Sequence, residues 1–362
     1  MSESSAIPGP RGSRWLGMGP ELRGDQLGTF ERMAAEYGDV VRFVAGPPGM
    51  RRELYLVTHP DGVEQVLAGN PDGYSKNTPV YKEVAAYLGS GLLTSGGARW
   101  RQQRRTVAPL FSHRRIDTYI DIMADEAAHL ADRCGAAAVG ESVDVNAEMV
   151  DYTLRTVGRV LFGADVEDAV PVIRATFPAL NEHIRRRGMS PLRLPRRLPR
   201  PAEVRAARAQ RTLYSIVDDI IDRRSRESGR DLISLLLAAR DPETGAPMSQ
   251  QDVSDQILIF LLAGHETTST ALTFTMHLLG RHPDVQAAVY DEIAEVLDGR
   301  TPDADDIGRL RLTEMVVKEA MRLYPPVYSL GRVAEQEVII GDYRIPRGLH
   351  HPAQPVDHPP AS

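Results

Sequence analysis

The sequence predicts a mainly α-helical protein with a small β region. Three observations carry this. Apolar residues recur at helical spacing over long stretches, above all 251–279. Short β-like runs occur near the start of the chain and near its end. No segment repeats another. A sheet whose strands come from both ends argues for one folded unit.

In chain order, Val40–Val44 and Glu53–Thr58 read as a hairpin around the turn signal Gly46-Pro47-Pro48-Gly49. From Gln102 to Leu180 the pattern is helical, with a stripe at Ile116, Ile120, Met123 and Ala127 and breaks at Gly135, Gly140 and Gly163. Arg185–Arg200 is rich in arginine and holds Pro191, Pro195 and Pro199, which cannot propagate a helix, so it reads as a basic exposed loop. Helical patterning resumes over Val204–Ser225, Leu232–Arg240, Gln251–Leu279, Pro283–Leu297 and Leu312–Leu323. The last β-like run is Glu337–Ile345, turning at Gly341-Asp342.

Composition narrows the function. With 42% hydrophobic and 25% charged residues and a net charge of −6, the 362-residue chain has the make-up of a soluble globular protein and not of a nucleic-acid binder. Residues 1–14 have no apolar core of a secretory signal, so a cytoplasmic location is expected. The longest apolar run, Ile257–Ala263, is far shorter than the ~20 residues of a bilayer span, and no membrane span is expected. The single cysteine, Cys134, excludes an internal disulfide and a multi-cysteine metal cluster.

The long helix carries the strongest signal. Ser249 and Asp252 form a start signal, and Gly280 with Pro283 a stop, so roughly 30 residues span ~45 Å. Apolar groups around every face predict burial. Yet its centre reads Ala263-Gly264-His265-Glu266-Thr267-Thr268-Ser269, with a carboxylate and hydroxyls where burial is costly. Gly264 costs ~1 kcal/mol of helix propensity, and threonine hydroxyls can bond back to carbonyls one turn earlier. A polar helix contact is one reading. A zinc site is excluded, because the second histidine of H-E-x-x-H is replaced by Ser269.

This stretch resembles the oxygen-binding segment of the cytochrome P-450 family. The resemblance implies that Gly264 opens a groove over a heme, that Ala263 lies in the same cofactor-facing stretch, that Thr267 hydrogen-bonds the oxygen being activated, and that Glu266 relays protons. Three further motifs fit the same family in the same order. Glu319-Ala-Met-Arg322, set in an apolar helix ended by Pro325-Pro326, resembles its buried Glu-x-x-Arg pair. Trp100-Arg-Gln-Gln-Arg104 and Gly331-Arg332 resemble segments whose Trp100, Arg104 and Arg332 would hold the heme propionates. Tyr74–Leu93 and Val327–Leu330 would line the substrate pocket.

The implied activity is heme-dependent monooxygenation: one oxygen atom of O2 enters an apolar small molecule, with electrons from NAD(P)H delivered by a separate redox partner such as a ferredoxin and its reductase. Arg101, Arg105, Arg114 and Arg115 could offer that partner a basic face. The family's axial cysteine follows the residue matching Arg332, and no cysteine follows Arg332 here; no residue is assigned to the metal. Cys134 lacks the Phe/Gly-rich setting of that ligand. The expectation is a P-450 domain over 1–348, incomplete at the C-terminus, followed by a non-family tail at 349–362. For the chain as written, without an axial cysteine, the expected reading is from another class: a non-catalytic truncated remnant that at most binds an apolar ligand; a third option has His350, His351 or His358 ligate heme instead.

The His- and Pro-rich tail has a specific explanation. Read from the second base of each codon, His350, His351, Asp357 and His358 must each become Thr or Ile, and Gln354 must become Ser or Asn. The shifted tail can read as a β-like run, so a frameshift at about Gly348 is expected.

Overall fold

The computed structural model describes residues 6–70, 72–138, 140–163, 166–190, 200–226, 231–348 and 350–353. Its elements run α1 (Gly19–Gly24), α2 (Gln26–Tyr37), β1 (Val40–Ala45), β2 (Arg52–Val57), α3 (Pro60–Glu64), β3 (Tyr74–Ser75), α4 (Pro79–Leu88), α5 (Gly97–Val107), α6 (His113–Asp117), α7 (Ile120–Gly135) and α8 (Val145–Phe162). There follow α9 (Val166–Met189), α10 (Pro201–Arg224), α11 (Leu232–Ala238), α12 (Gln250–Arg281), α13 (Pro283–Leu297), α14 (Ala304–Ile307), α15 (Arg311–Leu323), β4 (Leu330–Ala334), β5 (Val338–Ile340), β6 (Tyr343–Ile345) and β7 (His350–Ala353).

The helical architecture expected from the periodicity is present, and the sheet does draw on both ends of the chain. Its strand order is β1-β2-β7-β4-β3. The hairpin forms with Val40 opposite Val57 and Ala45 opposite Arg52. Alternation along β1 sends Val40 to one small apolar cluster with Tyr55, Tyr74 and Ile345, and sends Val41 and Phe43 to another with Phe30 and Leu56. The run near the end is the separate hairpin β5–β6.

The main core forms where α8, α9, α10 and α11 pack around α12, burying Leu154, Phe162, Ile173, Leu213, Ile221, Leu236, Ile257 and Leu258. The Ser249 hydroxyl caps α12 by accepting from the Asp252 amide at 3.1 Å. Burial on every face holds only for Val253–Ile259; beyond Phe260 one side is open, and Met276 is 47% exposed. Among the described residues this helix alone is long and apolar enough to cross a membrane. Its most apolar turns are instead inside the protein, as in the core helix of many folds.

One expectation fails. Residues 185–189 belong to α9, which continues through Pro171 and Pro178 and ends at Met189. A proline costs one backbone bond, and the packing of Ile173, Phe177, Leu180 and Ile184 against α10 and α4 holds the helix together around it. Residues 191–199 of that predicted loop lie outside the described residues. Strand β4 had no sequence signal of its own and exists through pairing with β3 and β7.

A polar node fixes α12 against the loop before α5. Asp255, buried, accepts hydrogen bonds from the Ser90 amide (2.6 Å), the Tyr214 hydroxyl (2.8 Å) and Gln251 Nε2 (2.7 Å). Gly89, at φ +79°, precedes it so closely that a Cβ there would meet the Asp255 carboxylate at 2.0 Å. Asp255→Ala strands three donors, each costing about 1–3 kcal/mol. It is expected to lower the urea midpoint by at least about 3 kcal/mol equivalent by circular dichroism, whereas Met315→Ala, at a site 59% exposed, should stay within about 0.5 kcal/mol.

Candidate active site

Two helices grip the centre of α12 on one side and leave the other side open. From α8, the Thr153 hydroxyl donates to the His265 carbonyl at 3.1 Å. Gly264 lies against α8 as well, and a Cβ there would come within 3.0 Å of Val157 Cγ2. The space left by the missing side chain of Gly264 thus admits Val157 of α8. From α9, Phe177 packs edge-on to the buried His265 ring, whose Nδ1 donates to the Leu261 carbonyl at 2.6 Å.

The open side is a line one and two turns long: Ala263, Glu266, Thr267 and Thr270, spaced i, i+3, i+4, i+7. The Thr267 hydroxyl donates to the Ala263 carbonyl, so it must rotate to donate elsewhere. Glu266 Oε1 accepts from Asn181 Nδ2 of α9 at 2.5 Å. Burial raises the proton affinity of Glu266, while His265 and the Asn181 bond pull it back. Asn181 had no signal in the sequence, because nothing but the packing of α9 on α12 brings residue 181 to residue 266.

A second group assembles around Trp100. On α5, Arg104 lies one turn after Trp100 with its guanidinium 5.1 Å from the ring centroid. The pairing of Ser75 with Val333 sets Lys76 and Arg332 side by side at the ends of β3 and β4. Lys76 Nζ stands 5.4 Å from the Trp100 centroid and donates to the Leu92 carbonyl at 2.9 Å. Burial, and then the charges of Arg332 and Arg104, push the Lys76 ammonium down to about 8. Among the described residues no carboxylate pairs with Lys76, Arg104 or Arg332. Three cations held together without a counter-ion form a site for an anion. Lys76 was missed from the sequence, although it is one of three lysines in an arginine-rich chain.

Glu319 and Arg322 form the expected bidentate pair, Nε to Oε2 and Nη2 to Oε1, both 2.8 Å. Their side chains are 54% and 45% exposed, so the pair is not buried as expected. α15 packs on α12 and α13 along one side and fully buries only Ala320, while Met315 and Met321 remain exposed. Cys134 is exposed in the last turn of α7, an element that carries none of these residues. The side chains of His350 and His351, and all of His358, lie outside the described residues. Glu182 and Arg185, at the same i, i+3 spacing on α9, form an exposed surface pair.

Comparison with known proteins adds independent findings. The sequence model of the family described as Cytochrome P450 matches residues 7–350. Cyclooctatin synthase of Streptomyces melanosporofaciens is 38% identical over 86% of this chain and 67% of its own length. Cyclooctat-9-en-7-ol 5-monooxygenase of the same organism is 36% identical over 90% and 70%. Pentalenene oxygenase of Streptomyces avermitilis is 33% identical over 88% and 70%.

The Asn181 contact makes a direct prediction. Removing a donor to the charged carboxylate leaves only His265 to oppose desolvation, so Asn181→Leu is expected to raise the Glu266 proton affinity further. An infrared carboxyl band that disappears in Glu266→Gln, followed as a function of pH, should shift its midpoint upward in Asn181→Leu; an unmoved midpoint would show that the contact does not tune the acid.

Proposed function

The chain belongs to the cytochrome P450 family of heme-dependent monooxygenases, and on that premise we propose that Lys76, Trp100, Arg104 and Arg332 hold the heme propionates while Ala263, Glu266 and Thr267 line its oxygen side. The observation that carries the reading is the cluster of three cations without a carboxylate, which suits the edge of a dianionic cofactor. Trp100 supports it by holding Arg104 and Lys76 in place through its ring. The residues meet the needs of the propionates and of the oxygen side; Cys134 does not meet the need for an axial thiolate. When bound through such a thiolate, the heme supplies the iron that activates O2.

The residues of this chain contribute the rest. The open line on α12 leaves room beside Ala263, where a larger side chain would intrude. Glu266, its proton affinity raised chiefly by desolvation, lies beside Thr267 on the same open line of α12 and is the candidate proton relay. Rotation of the Thr267 hydroxyl away from the Ala263 carbonyl frees its O–H to donate on the open side of α12. Glu319 and Arg322 tie adjacent turns of α15 together. Gly264 serves the α8 contact and through it sets the depth of α12.

The substrate is an apolar, unsaturated small molecule, as the names pentalenene and cyclooctat-9-en-7-ol describe for two relatives. Tyr74–Leu93 and Val327–Leu330 are its proposed lining. The electron donor is a ferredoxin served by its reductase, in the cytoplasm. Arg114, exposed, and Arg115, half-buried, have no carboxylate partner among the described residues and suit an acidic donor, and reduction that slows with added salt is the signature of such docking. Arg105 is engaged by the buried Asp241 and by Glu243, and Arg101 by Asp72, so these two contribute less.

The domain covers 1–348, and 349–362 is a tail read out of frame. The end of the family match at residue 350 supports this, and so does β7. That strand lies between β2 and β4, with Pro352 opposite Gly331. A proline has no N–H to give a central ladder, whereas the shifted reading offers Thr and Ile or Leu there. Nucleotide sequence in the second frame beyond codon 348 should encode a Phe/Gly-rich loop with a cysteine, the source of the thiolate; an early stop in that frame excludes the idea.

Hemin titration followed by Soret absorbance tests the site. Arg104→Ala, Arg332→Ala and Lys76→Ala should each weaken binding by roughly ten- to a hundredfold, the worth of a charge-assisted bond. Because Lys76 loses its charge as pH rises through about 8, affinity should fall between pH 7 and 9, and Lys76→Gln should flatten that fall. Variants that bind hemin as the parent chain does would remove the cluster from the heme site.

A further inference from the structure

A patch outside the active site combines large exposed apolar residues with unpaired positive charge. Trp15 is 70% exposed, Leu16 42% and Met50 50%. They belong to two segments that the fold pins together. The Gly46 amide donates to the Leu16 carbonyl at 3.0 Å, Arg51 Nη2 donates to the Arg14 carbonyl at 2.6 Å, and Gly17 bridges to Ala45. The entry segment and the tip of the β1–β2 hairpin thus make one surface.

Its charge is opposite to that of the chain. Residues 9–16 and 45–52 contain Arg11, Arg14, Arg51 and Arg52 and no acid, in a chain of net charge −6. Glu53, the nearest acid along the hairpin, is taken by Arg42. Arg11, Arg14 and Arg52 have no carboxylate partner among the described residues. An exposed tryptophan flanked by aliphatic side chains and arginines is the chemistry of a water–lipid boundary, where the indole sits at headgroup level and the guanidinium groups meet lipid phosphates.

We propose that this patch seats the protein on an anionic phospholipid surface. Trp15, Leu16 and Met50 enter the headgroup layer, and the four arginines select negatively charged lipid. A peripheral contact of this kind needs no spanning segment. It also places the protein where apolar compounds concentrate, and it stands or falls independently of the proposed heme contacts.

The test uses vesicles of phosphatidylcholine alone or mixed with phosphatidylglycerol. The chain has two tryptophans, so a Trp100→Phe background leaves Trp15 as the reporter. The expected result is co-sedimentation with the mixed vesicles, a blue shift of Trp15 emission, and little binding to phosphatidylcholine alone. At about fivefold per arginine, replacing Arg11, Arg14, Arg51 and Arg52 with Gln should weaken binding more than a hundredfold. Leu16→Ser with Met50→Ser should abolish the blue shift, while Met315→Ser with Met321→Ser, on the separate exposed face of α15, should change neither readout. Equal binding to neutral vesicles, or variants that bind like the parent, overturns the proposal. So does a concentration-dependent dimer that these same substitutions dissolve, because the patch would then join copies of the chain.

Discussion

The arrangement of this protein depends on a few buried hydrogen bonds between α12 and the loop over residues 89–95. Asp255 gathers three donors there, and Gln256 Oε1 accepts from the Leu92 amide at 3.1 Å. The same peptide segment presents the Leu92 carbonyl to Lys76. One residue of the loop thus reads the position of the core helix on its amide side and sets a cation of the second cluster on its carbonyl side. Gln103 extends the tie by donating to the Ser90 carbonyl and accepting from Ser95, which fixes α5 and with it Trp100 and Arg104. A hydrogen bond is worth only about 1 kcal/mol net, but a buried donor left alone costs more, so loss of one member moves the others.

Along α12 the division of labour follows the helical repeat. His265 and Ser269 fall on the stripe buried against α8 and α9, and Gly264 allows α8 to approach. Ala263, Glu266 and Thr267 fall on the opposite stripe and stay accessible. The polar residues that appear costly in a buried helix are therefore of two kinds. Some are satisfied inside the protein by backbone partners, and others face open space. Thr267, Ser269, Thr270, Thr273 and Thr275 return their hydroxyls to carbonyls three or four residues earlier, and α12 stays helical throughout.

Charge is distributed with similar economy. Most arginines near acids are used in the structure: Arg155 and Arg159 on the buried Glu126, Arg224 on Asp231, Arg300 on the buried Asp306. Burying a carboxylate is tolerable only with such partners. Against that background the three cations at Trp100 and the arginines around Trp15 stand out, because neither group has been given a carboxylate. The first lies partly inside the protein and suits a small fixed anion. The second lies at the surface beside apolar side chains and suits an extended one.

The sequence by itself determined what depends on local periodicity and short-range chemistry. The helices α10 to α13 and α15, the β1–β2 hairpin, the Ser249 cap, the Glu319–Arg322 pair and the Trp100–Arg104 turn are all matters of residues a few positions apart, where spacing dictates who meets whom. The family resemblance rested on the same local motifs. Tertiary structure alone decided the contacts between distant segments. Asn181 reaches Glu266 across 85 positions, Lys76 finds Arg332 through strand pairing, β4 exists only because β3 and β7 flank it, and Gly264 turns to α8. The helical pattern already spanned Pro171 and Pro178; what packing against α10 and α4 decided is that α9 runs on to Met189. Periodicity states which face of a helix is apolar; only the packed chain decides which neighbour that face meets.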